Sequence, residues 1–284
     1  DALHHVLTRH EQGAIHAAQG QARITNRAGV CIATSGPGAT NLVTGLADAH
    51  IDSTPLVVIT GQVAAHLLGT DAFQETDVIN VTAPVTKWNI QVTRAQDIAP
   101  AVAKAFYIAQ SGRPGPVLLD ITKNAQLEST TFAYQRCTSL RSYVPTPVAT
   151  QQSLLAAAHL LNQAHKPLLI AGHGVVLAGA EQALLAFAEK AGIPVAWTLL
   201  GLDAFPTSHR LSVGLVGMHG RYGPNIKTNQ CDVLLAVGMR FDDRVTGDVN
   251  KFAKQAKVIH IEIDPVEINK VVKAAVGICA DAKV

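Results

Sequence analysis

Glu11 opens the chemistry that this sequence can support. It lies in RHEQGA, after the strand-like pair Leu7-Thr8 and at the start of a helical pattern. A carboxylate in a first helical turn complements the helix dipole. Held at the carboxyl end of a strand, the same carboxylate would face a ligand, because α/β folds bind ligands there. The segment SGPGATN (residues 35–41) follows the aliphatic run VCIAT. Its glycines allow close backbone approach, and the helix start behind them would attract an anion or a polar ring. It is not a GxGxxG fingerprint, so the usual nicotinamide-dinucleotide signature is not met. GTDAFQE (residues 69–75) sets Phe73 beside Gln74 in a loop, the composition of a ligand wall or of a surface loop with one aromatic anchor. SGRPGP (residues 111–116) is a rigid turn in which Arg113 could reach a phosphate or a carboxylate, or stay solvated. The run VLLDI follows it and leads to Lys123.

The second half holds a wider constellation. GMHG (217–220) follows the strand-like residues 211–216, GMRFDDRVTG (238–247) follows VLLAV, and EIDP (262–265) closes VIHIEI. Three strand ends thus offer glycine, histidine, arginine and acid groups at one sheet edge. An extended dinucleotide would lie there, its ribose on an acid and its pyrophosphate on arginine and backbone N–H groups.

The elements that must position these groups follow from the hydrophobic pattern. Residues 30–34, 56–60, 85–89 and 117–121 are aliphatic runs with little polar alternation, as strands covered on both faces require. Helical patterns at 11–23, 39–49 and 95–110 separate them. Residues 126–150 are polar and aperiodic and read as a linker. Alternation resumes with helices at 153–164 and 180–191 and strands at 167–171, 211–216, 233–237 and 258–263. The expectation is α/β: two Rossmann-like, doubly wound parallel-sheet domains at 1–125 and 151–284. The first residues, DALHHVLTRHEQ, read as a helix tail followed by a strand. A domain rarely begins there, so a truncated start is expected.

Composition narrows the function class. Apolar residues make up 48% of the 284, enough for two cores, and the net charge of only +2 is scattered, which argues against nucleic-acid and polybasic membrane partners. No apolar run has the length of a membrane span. Cys31, Cys137, Cys231 and Cys279 have no metal-ligand spacing and read as buried, reduced thiols of a cytoplasmic protein.

Together, RHEQGA, SGPGATN, ITGQV, GTDAFQE, SGRPGPVLLDITK, GMHG and GMRFDDRVTG resemble the acetolactate synthase (acetohydroxyacid synthase) large subunit, a thiamine-diphosphate transferase that also binds FAD. The resemblance covers nearly the whole chain. It implies a pyrimidine-binding domain at 1–125 and an FAD-carrying domain at 151–284. It also implies decarboxylation of pyruvate and transfer of the two-carbon unit to a second 2-keto acid, pyruvate or 2-ketobutyrate, in branched-chain amino acid synthesis.

The same resemblance assigns residues. Glu11 matches the glutamate that bonds the aminopyrimidine and favours the imino form, which removes the thiazolium C2 proton. Pro37 and Asn41 match the loop beside that ring. Phe73, Gln74 and Lys123 match groups at the reacting centre and the substrate channel, with Glu11, Gln74 and Lys123 as the catalytic set. Arg113 matches a flavin contact. The FAD stretches correspond to Gly172, Gly174, Thr198 and Leu199; to Gly217, Met218 and His219; to Gly238, Arg240, Asp242 and Arg244; and to Glu262, Ile263 and Asp281. Mg2+ is held in this family by a downstream GDG…N motif that this chain does not contain, so no metal ligand is named. A homodimer or homotetramer, often with a small regulatory subunit, is the implied assembly.

The residues after ITGQV depart from the family, with Ala64, Ala65 and His66 where a proline often stands, which puts inhibitor response in doubt. Two rivals remain. A related FAD and thiamine enzyme such as pyruvate oxidase is opposed by GMRFDDRVTG, and a non-catalytic flavin or nucleotide module by Glu11 together with GTDAFQE. Glyoxylate carboligase lacks the glutamate.

Overall fold

The computed structural model describes residues 4–284 and divides them into two compact units, up to Pro145 and from Thr146. The first unit runs α1 (Glu11–Thr25), β1 (Gly29–Ala33), α2 (Pro37–Thr40), α3 (Val43–Ile51), β2 (Leu56–Gln62), α4 (Val78–Thr82), β3 (Trp88–Val92), α5 (Ile98–Gln110), β4 (Pro116–Thr122) and α6 (Lys123–Leu127). Its four strands pair in the order β1-β2-β4-β3, all parallel. Alternate side chains enter two cores. Cys31, Leu56, Val58 and Leu118 pack with Ile15 of α1 and Leu46 of α3. Val57, Val117, Leu119 and Ile121 pack with Ala101, Ala105 and Ile108 of α5. Burial on both faces is why β2 and β4 read as unbroken aliphatic runs, whereas β1, expected to be covered on both faces, leaves Val30 and Ile32 exposed because it is an edge strand.

The second unit runs α7 (Gln151–Asn162), β5 (Pro167–Ala171), α8 (His173–Leu177), α9 (Glu181–Ala191), β6 (Val195–Trp197), β7 (Ser212–Leu215), α10 (Tyr222–Thr228), β8 (Val233–Val237), α11 (Asp243–Thr246), β9 (Lys257–Glu262) and β10 (Val276–Cys279). Its six parallel strands lie in the order β10-β9-β8-β5-β6-β7. Counted from β5, this is the 3-2-1-4-5-6 order of dinucleotide-binding sheets, whose switch point falls between β5 and β8. There the backbones nearly touch. A Cβ on Gly238 (φ +58°) would meet Gly174 Cα at 2.7 Å, and Gly174 N–H donates to Gly238 O at 2.8 Å.

Several expectations need correction. Leu7-Thr8 form no strand: residues 4–8 carry no helix or strand, and Val6 and Leu7 stand exposed. The sheet ends at β1, so these residues have no ladder partner. The helix tail expected before them falls partly on residues 1–3, outside the described residues. The strand placed at 85–89 lies instead at Trp88–Val92, because Pro84 sits in a 3-10 turn, Ala83–Val85, that delays it. The helix expected over 39–49 is broken into α2 and α3 at Asn41 and Leu42. The one expected over 95–110 begins as a 3-10 turn, Ala95–Asp97, ahead of α5. Strands β6 and β10, with three and four residues, gave too little pattern to be read. The segment taken as a linker from 126 starts inside α6. Farther on, Tyr143 is fastened to the first unit, its hydroxyl donating to Ser111 O at 2.9 Å. Of the four free cysteines, Cys31 and Cys231 are buried, but Cys137 and Cys279 are only half-buried. No helix among the described residues is long and apolar enough to cross a membrane.

Candidate active site and dinucleotide edge

In a parallel sheet, every segment that follows a strand emerges at the same edge. In the first unit this edge gathers Glu11, the 35–41 turn, the 63–77 loop and Lys123. Glu11 is the first residue of α1, whose cap is His10: its Nδ1 accepts from Gln12 N–H at 3.1 Å. The Glu11 carboxylate meets its own backbone N–H in the first turn and also reaches outward. Its Oε2 accepts from Asn41 Nδ2 at 3.0 Å, and Oε1 lies 3.5 Å from where a Cβ on Gly38 would sit. The Asn41 bond, first among the causes, holds the Glu11 carboxyl below its ordinary range. Asn41 stands at the junction of α2 and α3, where the backbone stays right-handed helical and tightens to an i→i+3 bond from Leu42 N–H to Ala39 O at 3.1 Å. α2 itself is a single turn of four residues, so the anion-attracting helix end expected behind SGPG is replaced by this side-chain pair.

Gln74 joins the same place from the other side. Gly36 has φ +58°, and a Cβ there would lie 2.7 Å from Gln74 O and 2.9 Å from Gln74 Cβ, so glycine lets the two loops stack. Gln74 is itself left-handed (φ +59°), as is Asp71 (φ +57°), strain of the kind that collects at functional sites. The Glu75 carboxylate closes the loop from within, accepting from Gly69 N–H and from Ala72 N–H at 3.1 Å. The Gly69 bond leads the causes that lower its pKa. Phe73 projects from this braced turn with 88% of its surface exposed, and Pro37 and Lys123 are exposed as well.

The structure does not bring Arg113 here. It precedes β4 and lies at the opposite edge, its Nε donating to Ser53 Oγ at 2.9 Å and Nη2 to Ile51 O at 3.3 Å. A group that the sequence reading missed lies directly under the site. Asp120 is fully buried in β4 and accepts from Thr60 Oγ1 at 2.8 Å, Gln62 Nε2 at 3.0 Å and Gln91 Nε2 at 3.1 Å. Burial pushes its carboxyl up, against those three donors. One acid inside the run VLLDI is the signal that could have found it.

In the second unit all six strands release expected residues at one edge: Gly172 and Gly174 after β5, Thr198 and Leu199 after β6, Gly217 to His219 after β7. Gly238 and Arg240 follow β8, Glu262 and Ile263 end β9, and Asp281 follows β10. The GMHG turn is pinned against α11, with Met218 N–H donating to Arg244 O at 2.7 Å, and Asn225 Nδ2 donating to Gly217 O at 3.0 Å. Asp242 caps α11 by accepting from Arg244 N–H at 2.9 Å and Val245 N–H at 3.1 Å, which leaves the Arg244 side chain exposed. Glu262 is buried, and its Oε1 accepts from Ile263 N–H at 2.9 Å and Asp264 N–H at 3.2 Å. Asp281 accepts from Lys283 N–H at 2.8 Å. The edge thus combines arginine, hydroxyl and acid groups across a glycine-rich switch point, a donor set that suits a ribose and a pyrophosphate. Among the described residues no group of three or more His, Cys, Asp or Glu could hold a metal ion.

Comparison with known proteins places the two units in one family. Residues 1–81 match the thiamine pyrophosphate enzyme N-terminal TPP-binding domain, and residues 154–284 match the thiamine pyrophosphate enzyme central domain. The acetolactate synthase large subunit of Corynebacterium glutamicum is 52% identical over 281 residues, covering 99% of this chain and 45% of that protein. A probable acetolactate synthase large subunit of Methanocaldococcus jannaschii is 48% identical over 99% of this chain and 48% of its own length. The acetolactate synthase isozyme 3 large subunit of Escherichia coli is 45% identical over 100% of this chain and 51% of its own length. The chain spans about half the length of the curated relatives it matches. Its two parallel-sheet units, its Glu11–Asn41 edge and these similarities lead to one assignment: the chain belongs to the thiamine pyrophosphate enzyme family and is similar along its length to acetolactate synthase large subunits.

Proposed function

We propose that this chain provides the pyrimidine-binding and flavin-carrying parts of an acetolactate synthase, which decarboxylates pyruvate and joins the two-carbon unit to a second 2-keto acid. The observation that carries the reading is the Glu11 carboxylate, oriented by Asn41 and set beside a glycine turn that Gln74 covers. Bound thiamine diphosphate supplies the electron sink for decarboxylation. With that cofactor bound, Glu11 Oε would place negative charge beside the aminopyrimidine ring, and Asn41 fixes the carboxylate's direction. Pro37 and the turn behind it exclude water from that ring. Gln74, Phe73 and Lys123 form the wall toward the 2-keto acid, with the Lys123 ammonium as the counter-charge to its carboxylate.

The second unit fits FAD by its donor set: Arg240 for the pyrophosphate, Glu262 for the ribose, and the turns at Thr198-Leu199 and Met218-His219 for the remaining length. The flavin serves there as a structural group. Arg113, at the far edge of the first unit, is assigned to the flavin by family resemblance alone. The described residues do not fit Mg2+. The working assembly is a homodimer or homotetramer in the cytoplasm with a small regulatory subunit, in keeping with the large-subunit names of the relatives.

Glu11→Gln tests the reading. It keeps size and one hydrogen bond but removes the charge, so kcat should fall by about 10²–10⁴-fold, as for a lost acid–base group. Exchange of the C2 proton of bound thiamine diphosphate, followed by NMR, should slow in step, with little change in melting temperature. Exchange at the unmodified rate would remove Glu11 from the mechanism.

A further inference from the structure

Gln62, the last residue of β2, is almost fully buried, and each polar atom of its amide is used. Nε2 donates to Asp120 Oδ2 at 3.0 Å and to Thr76 O at 2.9 Å, while Oε1 accepts from Val63 N–H at 2.8 Å. Val63 and Thr76 are the two ends of the loop that presents Phe73 and Gln74. One side chain thus clamps both ends of this loop, and a buried carboxylate in the next strand holds that side chain. Above the clamp, the Glu75 bonds close the loop tip and Gln74 rests on Gly36. The left-handed conformations at Asp71 and Gln74 persist only if surrounding structure enforces them. Gln91, on β3, donates to the same Asp120 oxygen at 3.1 Å, and among the described residues it makes no bond to the loop.

We infer that Gln62, anchored by Asp120, is a positioning residue that sets the place of Gln74 and Phe73 against the glycine turn at Gly36. The inference rests on the reading of that loop as the wall of the thiamine site. A clamp at the loop's base acts through distance: a shift of about 1 Å at a reacting centre can cost about a hundredfold in rate.

Gln62→Met and Gln91→Met separate this role from general support of Asp120, since each removes one donor from the same oxygen and only the first releases the loop. Hydrogen–deuterium exchange of residues 63–76 should quicken by about tenfold or more in Gln62→Met and stay near the original in Gln91→Met. In the holoenzyme, kcat with pyruvate should fall by roughly ten- to a hundredfold in the first and stay within about twofold in the second. Gln62→Asn, a methylene too short to reach both Asp120 and Thr76, serves if the methionine variant does not fold, and the same result is expected of it. Equal effects at the two positions, or unchanged exchange in the loop, would overturn the inference. Gln74→Ala gives the control: a loss there with none at Gln62 refutes the clamp and leaves the site reading standing, and no loss at Gln74 refutes the site reading itself.

Discussion

Gly238→Ala should strongly destabilise the second unit, and the structure sets the size of the effect. At φ +58° an L-residue costs about 1–2 kcal/mol. The added Cβ would sit 2.7 Å from Gly174 Cα and 2.8 Å from Gly174 C and Val175 N. Carbon contacts are comfortable at about 3.5–4.0 Å, so each is too short by close to 1 Å. All three atoms are backbone at the start of α8, so no flexible side chain can yield. Moving that segment away would strain two hydrogen bonds, Gly172 N–H to Val237 O at 2.9 Å and Gly174 N–H to Gly238 O at 2.8 Å. Overpacking of this kind costs about 1–3 kcal/mol, and each weakened bond about 1 kcal/mol. The sum is about 4–7 kcal/mol, a large share of the 5–15 kcal/mol typical of a domain. Gly179→Ala is the control, because Gly179 has φ +60° with nothing near its missing Cβ and should lose only about 1 kcal/mol. Thermal unfolding, with hydrogen exchange at β5 and β8 to assign the transition, measures both. Gly238→Ala should lower that transition by about 15–30 °C and Gly179→Ala by about 4 °C. Equal losses in the two variants would refute the backbone-contact argument.

Asn41→Ala should shift the acid response of the first unit. The Asn41 bond is the leading reason that the Glu11 pKa is depressed. A depressed carboxylate adds stability above its unfolded pKa and loses it as pH falls through the folded pKa, so removing Asn41 moves that loss to higher pH. Denaturant midpoints between about pH 3 and 6 would show it, and superimposable curves would contradict the assignment. Arg240→Ala should weaken flavin retention about tenfold or more, as expected for losing a charge-assisted bond of about 1.5–3 kcal/mol, read by equilibrium dialysis of the holoenzyme. Unchanged retention would move the pyrophosphate elsewhere.

The strands most legible in the sequence were those buried on both faces. β2, β4, β5 and β8 were placed within a few residues because aliphatic runs flanked by turn residues have few alternatives. Legibility of the second site followed from parallel topology: once strands are known, whatever follows each one shares an edge. Arg113 lies on the other edge because it precedes its strand, a distinction that motif order does not reveal. Asp120 stayed hidden because its partners Gln91, Gln62 and Thr60 lie 29, 58 and 60 residues away and meet only through sheet order.

The break between α2 and α3 shows why the missing part of the reading fell at the site itself. The periodic pattern continues through Asn41 and Leu42, and Leu42 is fully buried, so hydrophobicity alone favours one helix. The regular α-helix is nevertheless interrupted at Asn41 and Leu42, which keep right-handed dihedrals but shift to an i→i+3 bond, and the Asn41 side chain donates to Glu11 30 residues earlier. An asparagine inside an uninterrupted helix presents its amide at an angle fixed by the helix. At this break a local tightening from i→i+4 to i→i+3 bonding rotates the residue slightly and changes that angle. A carboxylate that must face a ligand needs an aimed partner more than its neighbour needs a regular helix, so local propensity yields where Glu11 is held.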